Sequence, residues 1–187
     1  KDGATPLYIA CLNDHVDVAL LLLDNGADVN RADENGKTPL FTACAYGHVN
    51  AARLLLKKGA DVDRTTEKST TPLYIACHEG HVNAARLLLV GVARLLLEKG
   101  AEVDRAGKYD QTPLFIACGE GLTDVARLLL DNGADIDRAM KNGVTPLSIA
   151  EYLGHSAIAA LLESRAVGGT SATVTPDGTP EKNASPA

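Results

Sequence analysis

Hydrophobic and polar positions along the chain recur in one order. A Thr-Pro pair is followed by Leu, a ring or small residue, Ile and Ala; a short polar step comes next, then a run of Leu closed by Gly. The block Thr71-Pro72-Leu73-Tyr74-Ile75-Ala76-Cys77 shows the first half of the pattern in full, and near copies begin at Thr5, Thr38, Thr112 and Thr145. The starts are 33, 33, 41 and 33 residues apart. Self-similarity at a period of this size marks a stacked repeat array. Each block also reads as a helix start. Thr can accept from the first free backbone N–H groups, and Pro at the next position has a helical φ and no N–H to leave unpaired. Leu, Ile and Ala then lay an apolar stripe along one face.

After Leu12-Asn13-Asp14-His15 a second helix is predicted from Val16 to Asp24, with Asn25-Gly26 closing it. Gly supplies the left-handed residue with which helices commonly end. Asn35-Gly36 then suits a tight hairpin turn. One repeat is therefore helix, turn, antiparallel helix, and a hairpin reaching out sideways. The fold class is an all-α repeat solenoid.

These residues resemble the ankyrin repeat. The likeness is carried by the Thr-Pro-Leu starts, by Gly47-His48, Gly80-His81 and Gly154-His155 between helices, and by runs such as Gly26-Ala27-Asp28-Val29-Asn30 and Gly59-Ala60-Asp61-Val62-Asp63. The resemblance implies an ankyrin-repeat stack over residues 1–164, with five repeats starting near 1, 33, 66, 107 and 140. Where the family has His after Thr-Pro-Leu, this chain has Tyr8, Phe41, Tyr74, Phe115 and Ser148, so ring packing is expected to replace a reciprocal bond to the capping Thr. Ser148, Glu151 and Glu163 make repeat five more polar, as a C-terminal cap facing water would be. Repeat one, with Leu20 to Leu23, has no such cap. That end, which opens partway through a repeat, reads as part of a longer chain.

Repeat three carries an insertion of eight residues near 90–97, where Ala85-Arg86-Leu87-Leu88-Leu89 recurs as Ala93-Arg94-Leu95-Leu96-Leu97. A continuous helix from about Val82 to Glu98 is the simplest outcome; a looped-out insert would expose Leu87 to Val92. Eight extra helical residues add roughly 12 Å and turn the chain beyond them by about 80° in excess of two full turns. On that geometry one Leu run should pack normally while the other reaches past the stack. The hairpin before Thr112 should then be displaced, opening a step between repeats three and four. From Arg165 to Ala187 the composition turns to Ser, Thr, Pro and Gly without periodicity, and this tail is expected to be disordered. Its Thr175-Pro176, Thr179-Pro180 and Ser185-Pro186 resemble proline-directed kinase sites, but ordinary low-complexity sequence is the simpler reading.

Composition narrows the function. A net charge of −6 disfavours a general nucleic-acid or anionic-membrane binder. No apolar run is long enough to span a bilayer. The four cysteines stand one per repeat at equivalent positions, about 8–10 Å apart if the helices stack normally, which is too far for disulfides. They read as small buried hydrophobes in a reducing, intracellular and cytoplasmic setting. No nucleophile, base and orienting group converge, so an enzyme is not expected, nor is any cofactor or metal. The histidines at the inter-helix position read as structural hydrogen-bonders. Arg31, Arg64, Arg105 and Arg138 are expected to pair with the carboxylates of neighbouring hairpins.

The family resemblance implies a concave face of hairpin tips and first helices that binds a protein partner. Carried over position by position, the candidates are Glu34, Asn35, Lys37 and Tyr46 in repeat two, and Glu67, Lys68, His78 and Glu79 in repeat three. Repeat four gives Lys108, Tyr109, Gln111 and Glu120, and repeat five gives Tyr152. These positions vary while the frame is fixed, and Tyr46, Tyr109 and Tyr152 offer large contact area at small entropic cost. The expectation is a monomeric, non-catalytic interaction scaffold. The alternative is the recognition module of a larger enzyme or channel.

Overall fold

The computed structural model describes residues 3–78, 86–107 and 109–169. Ten helices occur among them. The first helices of the five repeats are α1 (Pro6–Leu12), α3 (Pro39–Ala45), α5 (Pro72–His78), α7 (Pro113–Gly119) and α9 (Pro146–Tyr152). The second helices are α2 (Val16–Asp24), α4 (Val49–Lys57), α6 (Arg86–Glu98), α8 (Thr123–Asp131) and α10 (Ser156–Gly169). First helices pack on first helices and second on second, so each repeat touches mainly its neighbours. The last helix continues five residues beyond Ser164, and Arg165 on it pairs with Asp131 of α8. Residues 170–187, including the Thr-Pro and Ser-Pro pairs, lie outside the described residues.

Helices of seven to nine residues are too short to persist alone in water. Two things hold them. The hydroxyls of Thr5, Thr38, Thr71, Thr112 and Thr145 each accept from the backbone N–H three residues on, all at 3.1 Å. Only Ser148 returns the bond, its Oγ accepting from the Thr145 N–H at 2.9 Å; the rings at the other four positions cannot. The second support is burial. Leu7, Leu40, Leu73 and Leu114 form one column, Cys11, Cys44, Cys77 and Cys118 a second, and Leu55, Leu96, Leu129 and Leu162 a third. All are nearly or fully buried, and each such Leu contributes roughly 1.5–3 kcal/mol.

At the N-terminal end a neighbouring column on the second helices meets water. Val18 is 49% exposed, whereas its counterparts Ala51, Val92, Val125 and Ile158 are at most 1% exposed.

The hairpins are joined by a ladder that differs from the one expected of the arginines. The Asn30 Oδ1 accepts from the Asp61 N–H at 2.9 Å, the Asp63 carboxylate from the Glu102 N–H at 3.1 Å, and the Asp104 carboxylate from the Asp135 N–H at 3.0 Å. The carboxylates thus serve backbone donors of the next repeat. Among the described residues none of the four arginines pairs with a neighbouring hairpin, and Arg105 turns to Glu102 of its own repeat at 3.0 Å. A backbone N–H at a fixed place is a better partner than a long, exposed side chain that loses entropy when held.

The insertion opens no step between repeats three and four. Helix α6 runs unbroken through Gly91, with Leu89 and Val92 buried, which rules out a looped-out insert at these positions. Residues 79–85, which include the predicted start of the helix at Val82, lie outside the described residues. The second copy of the duplication packs normally. Val92, Ala93 and Leu96 occupy the places that Ala51, Ala52 and Leu55 hold in repeat two, and a Cβ on Gly91 would meet Val49 of α4 at an ordinary 3.5 Å. The ladder bond from Asp63 to Glu102 keeps its register, so the extra residues are accommodated before Leu89 and not after it. The expected displacement of the hairpin before Thr112 does not occur.

Candidate functional site

Between repeats two and three, the hairpins and first helices, with Leu89 of α6, line a groove of about 810 Å³. Its apolar walls come from Phe41, Tyr46, Tyr74, Ile75 and Leu89, and Tyr8 closes the repeat-one end. Asn35, Lys37, Glu67 and Lys68 stand on the hairpin side and His78 at the end of α5. Six of the residues expected from the sequence therefore meet in one place.

The remaining candidates do not line this groove. Glu34 sits against Gly3, whose added Cβ would come within 3.1 Å of the Glu34 Cγ. Tyr109 and Tyr152 are 58% and 85% exposed on repeats four and five. Glu120 follows α7 and caps it. Gln111 accepts a hydrogen bond from the Tyr74 hydroxyl at 2.9 Å. Glu79 and Lys108 lie outside the described residues.

The groove is built from parts that hold one another. Hairpin tips two and three are tied by the Glu67 N–H donating to the Asn35 carbonyl at 3.1 Å. In the turn before them, the Asp33 carboxylate accepts from the Asn35 and Lys37 N–H groups at 2.9 and 2.8 Å. The Tyr46 ring stacks on His48 with centroids 5.9 Å apart, and the Tyr74 ring on His78 at 6.3 Å. Tyr74 leans toward repeat four, where Gly107 leaves room for it; a Cβ there would lie 3.1 Å from the ring. Burial raises the Tyr74 hydroxyl above its usual range, with Cys77 and Glu120 adding to the effect, so it stays a donor at neutral pH.

Of the lining residues that the sequence does not point to, three shape the groove most. Ring packing alone is what the sequence suggests for Tyr74. Leu89 belongs to the duplicated stretch, and in the stack it takes the place that His48 holds in repeat two. There the His48 Nε2 bonds the Leu12 carbonyl at 3.1 Å, and His155 does the same to Gly119 at 3.0 Å. Repeats three and four put Leu89 and Leu122 at this position, both buried. The third is Thr42. It breaks a column that is otherwise Ile9, Ile75, Ile116 and Ile149, it is 2% exposed, and its hydroxyl has no hydrogen-bond partner among the described residues.

The chemistry on offer is recognition. Burial pushes the Cys11, Cys77 and Cys118 thiols up to about 12 and Cys44 higher still, which removes them as nucleophiles near neutral pH. Among the described residues no three His, Cys, Asp or Glu side chains cluster as metal ligands, and no helix is long and apolar enough to cross a membrane.

Paired antiparallel helices with hairpins projecting to one side, stacked in register, define a helical solenoid of short repeats. Family models for ankyrin repeats match residues 1–43, 30–93, 62–139 and 90–171. The chain belongs to the ankyrin-repeat family. A comparison with curated proteins finds no match. Ankyrin repeats generally mediate protein–protein interaction and are typically non-catalytic.

Proposed function

We propose that this chain is a non-catalytic scaffold that binds a protein partner on its concave face, centred on the groove between repeats two and three. The observation that carries this reading is the convergence of Asn35, Lys37, Tyr46, Glu67, Lys68 and His78 around one apolar-walled groove. None of them belongs to the buried columns of the repeat frame. Hairpin tips tied to each other and rings stacked on histidines reduce the entropy lost on binding. Large, exposed aromatic side chains such as Tyr46, 59% exposed, are the residue type that anchors interfaces.

Site-specific photo-crosslinking tests the face. Benzoylphenylalanine in place of Tyr46 should capture a discrete protein in cells, while the same probe in place of Arg53, exposed on α4, should not. Equal capture at both places, or capture at Arg53 alone, would overturn the concave assignment.

A further inference from the structure

Resting on that reading, we infer that the groove takes an extended peptide segment of the partner, one that carries an apolar side chain beside one or two carboxylates. Two independent features of the groove point to this class of ligand. The first is Thr42. An Ile at this position would complete the column of the other four repeats and leave no polar atom behind. Instead Thr42, 2% exposed, lines the groove among Phe41, Ile75 and Leu89, and its buried hydroxyl has no partner among the described residues. Leaving a buried hydroxyl unsatisfied is costly, and a carbonyl or carboxylate that reaches it from the groove recovers that cost. A peptide backbone alongside an inserted apolar side chain supplies such an acceptor.

The second feature is charge. The ion pairs among the described residues are Asp24–Lys58, Glu102–Arg105, Asp110–Lys141 and Asp131–Arg165. Lys37 and Lys68 belong to none of them, although the chain as a whole carries a net charge of −6. Two uncommitted ammonium groups therefore edge one groove of an acidic protein. Glu67 stands with them, so the charged side chains that line the groove sum to a single positive charge. That balance suits one or two acidic side chains and disfavours a polyphosphate or nucleic acid, which needs a dense basic surface. A volume of about 810 Å³ is of the size that encloses a ligand and is more than one side chain fills.

A randomised dodecapeptide display library, selected against the full chain, tests the inference. Recovered peptides should share an aromatic or branched aliphatic residue flanked by Asp or Glu, and their binding should weaken as salt is raised. Thr42→Val exchanges the hydroxyl for a methyl of similar size, so it should leave the fold intact and weaken the selected peptides about tenfold. The pair Lys37→Glu and Lys68→Glu should weaken them further and abolish the salt dependence. Peptides without acidic residues, or unchanged affinity in a folded Thr42→Val protein, would overturn the inference. If Tyr46 still crosslinks a protein while no acidic peptide binds, the scaffold reading stands and the peptide class falls.

Discussion

The Tyr74 hydroxyl donates to the Gln111 Oε1 at 2.9 Å, joining the first helix of repeat three to the hairpin of repeat four. Gln111 stands at a position expected to face a partner, yet its side chain is used inside the stack. The bond also fixes one wall of the groove, because the Tyr74 ring cannot swing back toward repeat two while its hydroxyl is held. Tyr74→Phe and Gln111→Ala should each lower stability by about 1 kcal/mol, and the double variant should cost less than the two together. Urea denaturation of the four proteins measures this coupling. Strict additivity would show that the bond contributes nothing in solution.

The four buried thiols make the stack sensitive to alkali. Cys11, Cys77 and Cys118 are raised from 9.0 to about 12, so the folded chain keeps protons that the unfolded chain releases. Their contribution to stability is complete below pH 9 and is lost as pH rises toward 12. The melting temperature should therefore be level to about pH 9 and fall steadily above it, and replacing all four cysteines by Ala should flatten that fall. A thiol reagent at pH 8 should label none of them until the protein is denatured.

Removing residues 85–92 would join Ala84 to Ala93 and restore His-Val-Asn-Ala-Ala-Arg-Leu-Leu-Leu, the wording of repeat two from His48 to Leu56. Because the added length is taken up before Leu89, the shortened chain should fold, and hydrogen exchange in α7 to α10 should stay unchanged. Loss of protection in those helices would mean that the insertion supports the downstream stack. The groove should change, since His81 would replace Leu89 in its lining and be placed to bond the Ala45 carbonyl.

What could be read from the sequence was what neighbours along the chain decide. Thr-Pro starts, Gly stops and Leu columns act within a few residues, and the helices lie where those signals put them. Thr42 was also legible, as the one break in a column of Ile, though it takes the packed structure to show its hydroxyl buried and unpartnered among the described residues. Pairings across repeats were not legible. Tyr74 and Gln111 are 37 positions apart, and Asp63 finds a backbone N–H of residue 102, a donor that every residue but Pro possesses and that leaves no mark in composition. The step expected after repeat three failed for a related reason. Helix geometry gives the rotation caused by eight residues, but the choice between lengthening the helix forward or backward is made by contacts with α4 and the hairpin ladder.

That ladder gives the stack a unit of measure other than chain length. Bonds from Asn30 to Asp61 and from Asp104 to Asp135 span 31 residues, and the bond from Asp63 to Glu102 spans 39, yet all three join the same points on successive hairpins. Residues can therefore be gained or lost on the helical side without the hairpin side losing count. Such a molecule can vary its back while its front keeps its spacing, and a partner that reads the hairpins would find the same surface on a longer or a shorter chain.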